Sequence, residues 1–308
     1  MRPAIAVPLA AATAGVTGLA YAVAETRWFA LRRVTVPVLE PGSADLRVLH
    51  LSDAHMRPGQ RRKQDWVRGL AELEPDLVVN TGDNLSHADA NDAVLDAYGE
   101  LLERPGVFVF GSNDYFAPIA KNPVKYLTGG TGSSAGGSWE RPATLPFEEL
   151  RRSFTDRGWL DLNNARGELE VAGRRLAFVG VDDPHLEYDR LDDVPADRSA
   201  DLAIGVAHAP YLRVLDRWNA SGYPLILAGH THGGQLRLPF AGALVTNCDL
   251  DRARARGLHT HQVDGHDPSW LHVSAGLGTS PFTPVRFACR PEATLLTLTG
   301  VDSSRSSA

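Results

Sequence analysis

Short apolar runs that end in polar residues recur along this chain and predict buried strands. Apolar residues at helical spacing lie between several of these runs and predict amphipathic helices. The predicted strands cover 46–51, 76–80, 107–110, 176–181, 202–207, 224–228, 235–238, 271–274 and 293–298. The predicted helices cover 66–73, 89–102, 146–157 and 211–218. Because helices alternate with strands in the first half and strands dominate the second, this order indicates an α/β layered domain with mixed sheets.

The N-terminal residues 3–24 carry no charge and are rich in Ala, Val and Leu. About 20 such residues can span a bilayer as a helix. Arg2 gives a short positive start, and 22–24 has the small-x-small pattern of a signal-peptidase site. We therefore expect one N-terminal membrane segment, either a single-pass anchor in the cell membrane or the cleaved signal of a secreted or envelope protein. Arg2 and Arg27 flank the segment on opposite sides, so the side of the membrane stays open.

The remaining pattern suggests a simple division of the chain. We expect a membrane segment at 1–25, a linker at 26–44, one domain at 45–300 and a polar tail at 301–308. Within the domain, a stretch rich in Gly, Ser and Thr at 127–137 is typical of a loop or lid.

Composition narrows the functional class. The 308 residues are 43% hydrophobic and 22% charged, which is ordinary for a globular protein. The formal net charge is -6 and the sequence has no long basic stripe, so nucleic-acid binding is not expected. A metal site built from the two cysteines, Cys248 and Cys289, would need closer spacing.

Residues that commonly bind metals follow most of the predicted strands directly. Ligands collect outside the carboxyl ends of strands in α/β sheets, so these side chains are expected to meet. The set comprises Asp53, His55, Asp83, Ser112, Asn113, His208, His230 and His232. Taken singly, Asp53 could cap a helix, Asp83 could belong to a turn, and His208 could be an ordinary core or surface histidine. Together they indicate a metal site.

The chemistry of the set favours two ions. Aspartate and histidine without thiolates suit Mn, Fe or Zn. Six carboxylate and imidazole ligands are too many for one catalytic ion that keeps an open position. They fit two divalent ions ~3.5–4 Å apart that share a bridging carboxylate, an arrangement that clamps the attacking and leaving oxygens at phosphorus.

The order and spacing of these motifs resemble the calcineurin-like metallophosphoesterases, in particular a bacterial membrane-associated branch. The motifs are Asp53-x-His55, Gly82-Asp83, Gly111-Ser-Asn-Asp114, His208 and Gly229-His-Thr-His232. Residues 276–280, Arg286 and 291–292, later in the sequence, also match. The resemblance implies a four-layer fold, a mixed β-sandwich flanked by helices. It also implies that Asp53, His55 and His232 hold one metal and that Asp83 bridges to a second. His208, His230 and an asparagine would hold that second metal.

The third motif departs from the family pattern, which usually has Gly-Asn-His followed by Asp or Glu. Ser112 stands in place of the asparagine and Asn113 in place of the histidine. We expect Asn113 to contact a metal and the charge that develops on the substrate, and Asp114 to orient the loop or a ligand. Loss of the histidine favours substrates with good leaving groups. His185 is the first candidate to replace it, and His87 is the second.

These observations predict a hydrolase that cleaves phosphomonoester, phosphodiester or pyrophosphate bonds with hydroxide activated by two metals. The substrate would be a phosphorylated small molecule or a lipid-linked phosphate. The alternative is a membrane-tethered metal-binding or scaffold protein of the same fold with lost or weak hydrolysis. A single-metal hydrolase of other bonds, such as a peptidase, is disfavoured because the chain has no His-Glu-x-x-His motif.

Overall fold

The computed structural model describes residues 3–119, 142–192, 194–238 and 242–301. The lid expected at 127–137 lies outside these residues, as does nearly all of the tail expected at 301–308. In the part of the chain that is described, no helix combines the length and apolar character needed to cross a membrane. The membrane-spanning helix expected near the N-terminus is therefore not supported.

The N-terminal residues Pro3–Glu25 do form a helix, α1, and its last turn packs against the domain. Ala22 and Glu25 are buried there. The Glu25 carboxylate accepts hydrogen bonds from the backbone N–H groups of Ala288 at 2.9 Å and Cys289 at 2.8 Å. The end of α1 is thus fixed to a loop near the C-terminus of the domain.

Six strands form the first sheet, in the order β1–β14–β2–β3–β4–β5. Their bounds are β1 Ala30–Leu39, β2 Leu46–Leu51, β3 Leu77–Asn80, β4 Gly106–Phe108, β5 Leu160–Asp161 and β14 Glu292–Gly300. All neighbouring strands are parallel except β14 and β2, which are antiparallel. The range 26–44, expected to be a linker, therefore contains a strand that pairs with β14.

The second sheet also has six strands, in the order β12–β13–β9–β8–β7–β6. The bounds are β6 Ala165–Val171, β7 Arg174–Gly180, β8 Leu202–Ala207, β9 Leu225–Ala228, β12 Gly257–His261 and β13 Ser269–Val273. Its inner strands are parallel, whereas β6 and β12 run antiparallel at the two edges. A separate two-stranded ribbon joins β10 Arg237–Leu238 to β11 Gly242–Ala243.

Helices cover the outer faces of both sheets. They are α2 Arg61–Arg68, α3 Asn91–Tyr98, α5 Phe147–Thr155 and α6 Leu212–Ala220, while α4 Ser112–Tyr115 is a single turn that follows β4. Short 3-10 turns lie at Gly69–Leu73, Ala88–Ala90, Gly99–Glu103, His232–Gly234 and Arg252–Arg254.

Three apolar clusters show how these elements stack. Side chains of α2, α3 and α5 pack with Leu49 and Phe108 on the first sheet. Val48 and Val79 of the first sheet pack with Ile204 of the second, between the two sheets. Side chains of α6 pack on the second sheet from its other side. The layers are therefore helices, sheet, sheet and helix, which confirms the expected mixed α/β fold of two sheets flanked by helices.

Candidate metal centre

The loops that follow β2, β3, β8 and β9 are tied to one another through backbone hydrogen bonds. The Asp53 N–H donates to the Gly82 carbonyl at 2.8 Å, and the His55 N–H donates to the Asp83 carbonyl at 2.9 Å. Within the second sheet, the Gly229 N–H donates to the His208 carbonyl at 2.8 Å, and between the two sheets the His230 N–H donates to Asp53 Oδ2 at 3.0 Å. These bonds bring the predicted metal ligands of both sheets to one place.

Five candidate ligands share an uncommon backbone conformation. Asp53, His55, Asp83, His230 and His232 all have positive φ angles, between 42° and 68°. L-amino acids rarely adopt this left-handed region, and such residues persist where the surrounding structure fixes them. The strain is concentrated at one site, as it often is where a ligand must be held in a set geometry.

The first group of ligand atoms comes from Asp53, His55, Asp83 and His232. One ligand atom from each lies within 4.8 Å of the other three. The His55 Nε2 atom is 3.2 Å from His232 Nε2 and 3.4 Å from Asp83 Oδ2. The His232 Nε2 atom is 3.6 Å from Asp53 Oδ1. These atoms converge as the ligands of a divalent ion would.

A second group lies on the other side of the same aspartate. The Asp83 Oδ1 atom is 3.5 Å from His208 Nε2, and His208 Nε2 is 3.3 Å from His230 Nδ1. The two oxygens of Asp83 thus face histidines of two different groups. His208 is oriented from behind, since its Nδ1 donates to the Thr81 carbonyl at 2.7 Å.

Burial and nearby carboxylates together set the protonation of the histidines. It lowers the pKa of His55 to about 4 and the pKa values of His230 and His232 well below their usual value. His208 differs: burial opposes its charged form, but Asp83 and neighbouring carboxylates outweigh burial and raise its pKa to about 9. Three rings are therefore neutral with lone pairs available, the state in which imidazole binds metals.

The carboxylates carry the matching negative charge. Burial raises the pKa of Asp53 to about 6. For Asp83, burial also opposes ionisation, but the charges of His208 and His55 and hydrogen bonds from Asn113 prevail and lower its pKa. In the absence of metal, a proton on His208 stabilises the Asp83 carboxylate.

One buried oxygen atom supports a metal at this site. The Asp53 Oδ2 atom accepts hydrogen bonds from Ser52 Oγ at 2.5 Å and from the His230 N–H at 3.0 Å. The Asp53 Oδ1 atom is fully buried and has no hydrogen-bond partner among the described residues. Such an atom is costly unless something binds it. A cation held by Asp53 Oδ1 and His232 Nε2 would remove this cost.

The third motif places an amide nitrogen, not an amide oxygen, beside Asp83. The Asn113 N–H donates to Asp83 Oδ1 at 2.7 Å, and the Asn113 side-chain Nδ2 donates to Asp83 Oδ2 at 2.8 Å. A half-turn of the side-chain amide would exchange Nδ2 and Oδ1 and direct the oxygen to the same position. Metal contact through Asn113 therefore stays a prediction.

Asp114 lies behind the metal ligands and organises their backbone. Its carboxylate is fully buried and accepts hydrogen bonds from the N–H groups of Asp83 at 2.8 Å, Asn84 at 2.8 Å and Gly111 at 2.9 Å. Burial raises the pKa of Asp114 to about 7. The residue holds two loops together, in keeping with the positioning role expected for it.

The two candidate histidines occupy different surroundings. The ring of His185 lies 4.6 Å from that of His230, measured between centroids, and its Nδ1 is 3.0 Å from the Tyr211 hydroxyl. His185 is thus next to the second group of ligands. His87 is half exposed and accepts a hydrogen bond from the Asp89 N–H, capping a short helical turn. The structure therefore brings His185 to the site and leaves His87 on the surface.

Two buried basic side chains, to which the sequence pattern assigned no role, lie at the site. Lys63 donates from Nζ to the Ala54 carbonyl at 2.7 Å, and burial lowers its pKa to about 7. Arg286 donates from Nη2 to the carbonyls of Ala275 and Gly278, both at 2.7 Å. Both side chains fix loops that carry or adjoin ligands. Arg286 belongs to the motifs that resemble the family. Lys63 lies among charged residues of α2, where nothing in the pattern marks it as buried.

A two-sheet α/β fold with a buried Asp/His cluster at its strand ends defines a metal-dependent hydrolase. Residues 46–234 match the family model described as calcineurin-like phosphoesterase, and the chain belongs to that family. It therefore acts as a hydrolase on phosphoester bonds, and the Asp/His cluster is suited to divalent metal ions.

Relatives at low sequence identity extend along most of the chain. The uncharacterized metallophosphoesterase YkoQ of Bacillus subtilis (strain 168) is 26% identical over 259 residues, covering 82% of this chain and 84% of that protein. Phosphodiesterase YaeI of Escherichia coli (strain K12) is 27% identical over 280 residues, covering 89% of this chain and 90% of that protein. The structure of TT1561 from Thermus thermophilus has a TM-score of 0.39 and 11% identity, over 76% of this chain and 91% of that chain.

Proposed function

We propose that this chain hydrolyses phosphodiester or pyrophosphate bonds at a centre of two divalent ions. The observation that carries the proposal is the position of Asp83. Its Oδ2 atom is 3.4 Å from His55 Nε2 and its Oδ1 atom is 3.5 Å from His208 Nε2. A carboxylate whose oxygens face two separate sets of ligands is suited to bridge two ions.

The ligand sets follow from these contacts. Asp53, His55 and His232 would hold one ion, and His208 and His230 the other, with Asp83 shared. Bound divalent ions of Mn, Fe or Zn would supply positive charge and a water acidified for attack at phosphorus. The chain itself keeps His55, His230 and His232 neutral and Asp83 anionic, buries most of the ligands, and fixes the backbone of Asp83 through Asp114.

The third motif favours one class of phosphate ester. In place of the family histidine stands Asn113, whose amide cannot transfer a proton to a leaving group at neutral pH. Substrates whose leaving group is already stable, such as an aryl oxide or a phosphate, need no such transfer. The name of the relative YaeI, a phosphodiesterase, supports a phosphodiester as the kind of bond that is cleaved. Lipid-linked phosphates belong to the class with a stable leaving group when the bond cleaved is a pyrophosphate.

The proposal is tested with the full chain, freed of metal and then loaded with Mn²⁺. We expect about two equivalents of Mn²⁺ per chain and hydrolysis of aryl phosphodiesters in preference to alkyl phosphomonoesters. Metal content by atomic absorption and product release on both substrates provide the measurement. Two bound equivalents with no hydrolysis of aryl diesters, aryl monoesters or lipid pyrophosphates would favour the metal-binding or scaffold alternative.

We further propose that His185 donates a proton to the leaving group or contacts the phosphate. Its ring is close to His230 and its Nδ1 is 3.0 Å from the Tyr211 hydroxyl, which orients it. Replacement by Gln is expected to lower the rate on alkyl esters by about 10²–10⁴-fold and the rate on aryl esters far less, because only the alkoxide needs a proton. Rate constants on a matched series of leaving groups measure the difference.

His87→Gln serves as the control for this experiment. His87 is half exposed and contacts Asp89, away from the ligands, so this variant should match the wild type on every ester. A uniform loss in His185→Gln across all leaving groups would contradict a role in proton transfer.

Location at a membrane also stays a proposal. Its support is the name of a relative from Bos taurus, a transmembrane protein with metallophosphoesterase domain, which is 29% identical over 248 residues. This chain spans 51% of that protein.

A further inference from the structure

We propose that a buried chain of hydrogen-bonded side chains, His272–His50–Thr81–Ser52, positions the Asp53 carboxylate for metal binding. None of its four members is a ligand in the sets described above. The inference rests on the proposed function only in taking Asp53 as a metal ligand.

The row of hydrogen-bonded side chains is continuous, and the distance between donor and acceptor is short at every step. His272 Nδ1 is 2.9 Å from His50 Nδ1, and His50 Nε2 is 3.0 Å from Thr81 Oγ1. Thr81 Oγ1 is 2.7 Å from Ser52 Oγ, and Ser52 Oγ is 2.5 Å from Asp53 Oδ2. The last step joins the Ser52 hydroxyl, as donor, to a carboxylate oxygen of Asp53. The path begins in the second sheet, on β13, crosses the sandwich to β2 of the first sheet, and ends at a candidate metal ligand.

The direction of every hydrogen in this chain follows from the carboxylate at its end. An ionised Asp53 can only accept, so Ser52 must donate to it. Ser52 has one hydrogen and must therefore accept from Thr81. Thr81 then has no hydrogen left for its ring partner and must accept from His50 Nε2. A neutral His50 with its proton on Nε2 accepts at Nδ1, so His272 donates from Nδ1.

The electrostatics agree with neutral rings. Burial lowers the pKa of His272 to about 3 and that of His50 well below its usual value. One neutral ring can donate while the other accepts, as the 2.9 Å contact requires. Two charged rings could not approach so closely.

The surroundings leave little freedom for these groups to move. All five side chains, from His272 to Asp53, are at most 1% exposed. Gly229 packs directly against these side chains, since a Cβ atom there would overlap Ser52 Oγ and lie 2.7 Å from Asp53 Oδ2. The hydroxyls of Ser52 and Thr81 are therefore closed off from solvent in the described structure.

The consequence for Asp53 is a fixed orientation. Ser52 and the His230 N–H both bind Oδ2, which leaves Oδ1 without a partner among the described residues and 3.6 Å from His232 Nε2. A carboxylate held in this way presents one oxygen to a cation at no cost of reorientation. Partners of this kind commonly change metal affinity by about 10–100-fold when removed.

The tautomers of the two histidines test the proposal without any metal or substrate. In metal-free protein labelled with ¹⁵N-histidine, the nitrogen shifts should show His50 protonated at Nε2 and His272 protonated at Nδ1, both neutral near pH 7. Spectra of His50→Gln and His272→Gln assign the signals. A proton on Nδ1 of His50 overturns the proposal, whatever the metal content of the loaded protein.

The Mn²⁺ affinity of variants provides a second test of these hydrogen-bonded side chains. Thr81→Val removes one hydroxyl and keeps the shape of the side chain. We expect it to weaken Mn²⁺ binding by about 10–100-fold by calorimetry and to release His50 from its single tautomer. Thr294→Val is the matched control. Thr294 is a buried threonine paired with His50 on the adjacent strand β14, and its hydroxyl has no hydrogen-bond partner in the described structure. This control should bind Mn²⁺ as the wild type does.

A conservative replacement separates positioning from general damage. Gln at position 50 can donate to Thr81 and accept from His272, whereas Leu can do neither. His50→Gln should therefore keep Mn²⁺ affinity within about tenfold, and His50→Leu should lose more. Equal affinity in wild type and Thr81→Val would overturn the proposal. Failure of wild-type protein to bind Mn²⁺ with the expected tautomers present would instead count against the proposed function.

Discussion

Replacing Asp83 by Asn is expected to lower the rate of phosphoester hydrolysis by about 10³-fold or more and to remove at least one bound metal. The change keeps the shape of the side chain but removes the negative charge between His55 and His208 and leaves one oxygen instead of two. Charge stabilisation by a bound metal is worth several kcal/mol, and about 1.4 kcal/mol corresponds to a tenfold change in rate. Metal content and the rate on an aryl diester, measured on the same preparation, provide the test.

Asp65→Asn is a suitable control because Asp65 is an exposed aspartate on α2 that pairs with Arg68. It should retain both the metal and the wild-type rate. If Asp83→Asn keeps two equivalents of metal and the wild-type rate, Asp83 is not the bridging ligand.

Replacing Gly111 by Ala is the second change with a large expected effect. A Cβ atom at this position would overlap Asp83 Oδ1 and come within 2.5 Å of His208 Cε1 and 2.6 Å of His208 Nδ1. The backbone of Gly111 is extended, with φ -118° and ψ 178°, so any residue can adopt it and the effect comes from space alone. We expect the second metal to be lost first, together with about 1–3 kcal/mol of the free energy of unfolding.

Gly69→Ala provides the comparison. Gly69 has φ -62° and ψ -15°, and nothing lies within 4 Å of a Cβ atom built there. The variant should bind metal as the wild type does and unfold at the same or a slightly higher denaturant concentration. Two metals bound to Gly111→Ala with wild-type affinity would show that the loop can yield, contrary to the steric argument.

The strands that surround the site were predictable because they are apolar on both faces. The prediction at 46–51 coincides with β2 and that at 202–207 with β8. Strands β6 and β12 were missed because each forms an edge of the second sheet. Along β6 half-buried and exposed residues alternate, so no continuous apolar run marks it. The segment of β1 was predicted to be a linker because its arginines interrupt the apolar run, although it forms an edge strand of the first sheet.

The candidate ligands were predictable from their position after those strands, and all the Asp and His ligands meet in the fold. What surrounds them was not predictable. His50 and His272 lie within apolar runs, and only the packing of one sheet on the other brings the two rings together. Asp114 and Lys63 act on backbone groups, and a sequence pattern does not show which carbonyl or N–H a side chain will reach. The sequence ranked His185 ahead of His87, but only the fold shows that the His185 ring lies beside His230 and that His87 is half exposed.

The pairing of β1 with β14 sets a limit on how this protein can be shortened for laboratory work. A chain begun at Asp45 would lack β1 and leave β14 as an open edge, whose free N–H and C=O groups invite pairing with another molecule. It would also lack Glu25, whose carboxylate binds the loop that adjoins Arg286. Preparations that begin ahead of Ala30 keep β14 paired with β1, which is the natural edge of the sheet, and those that retain Glu25 also keep the loop beside His232 in place. Aggregation of a shorter version would therefore reflect the exposed edge of a sheet and not a defect in the metal centre.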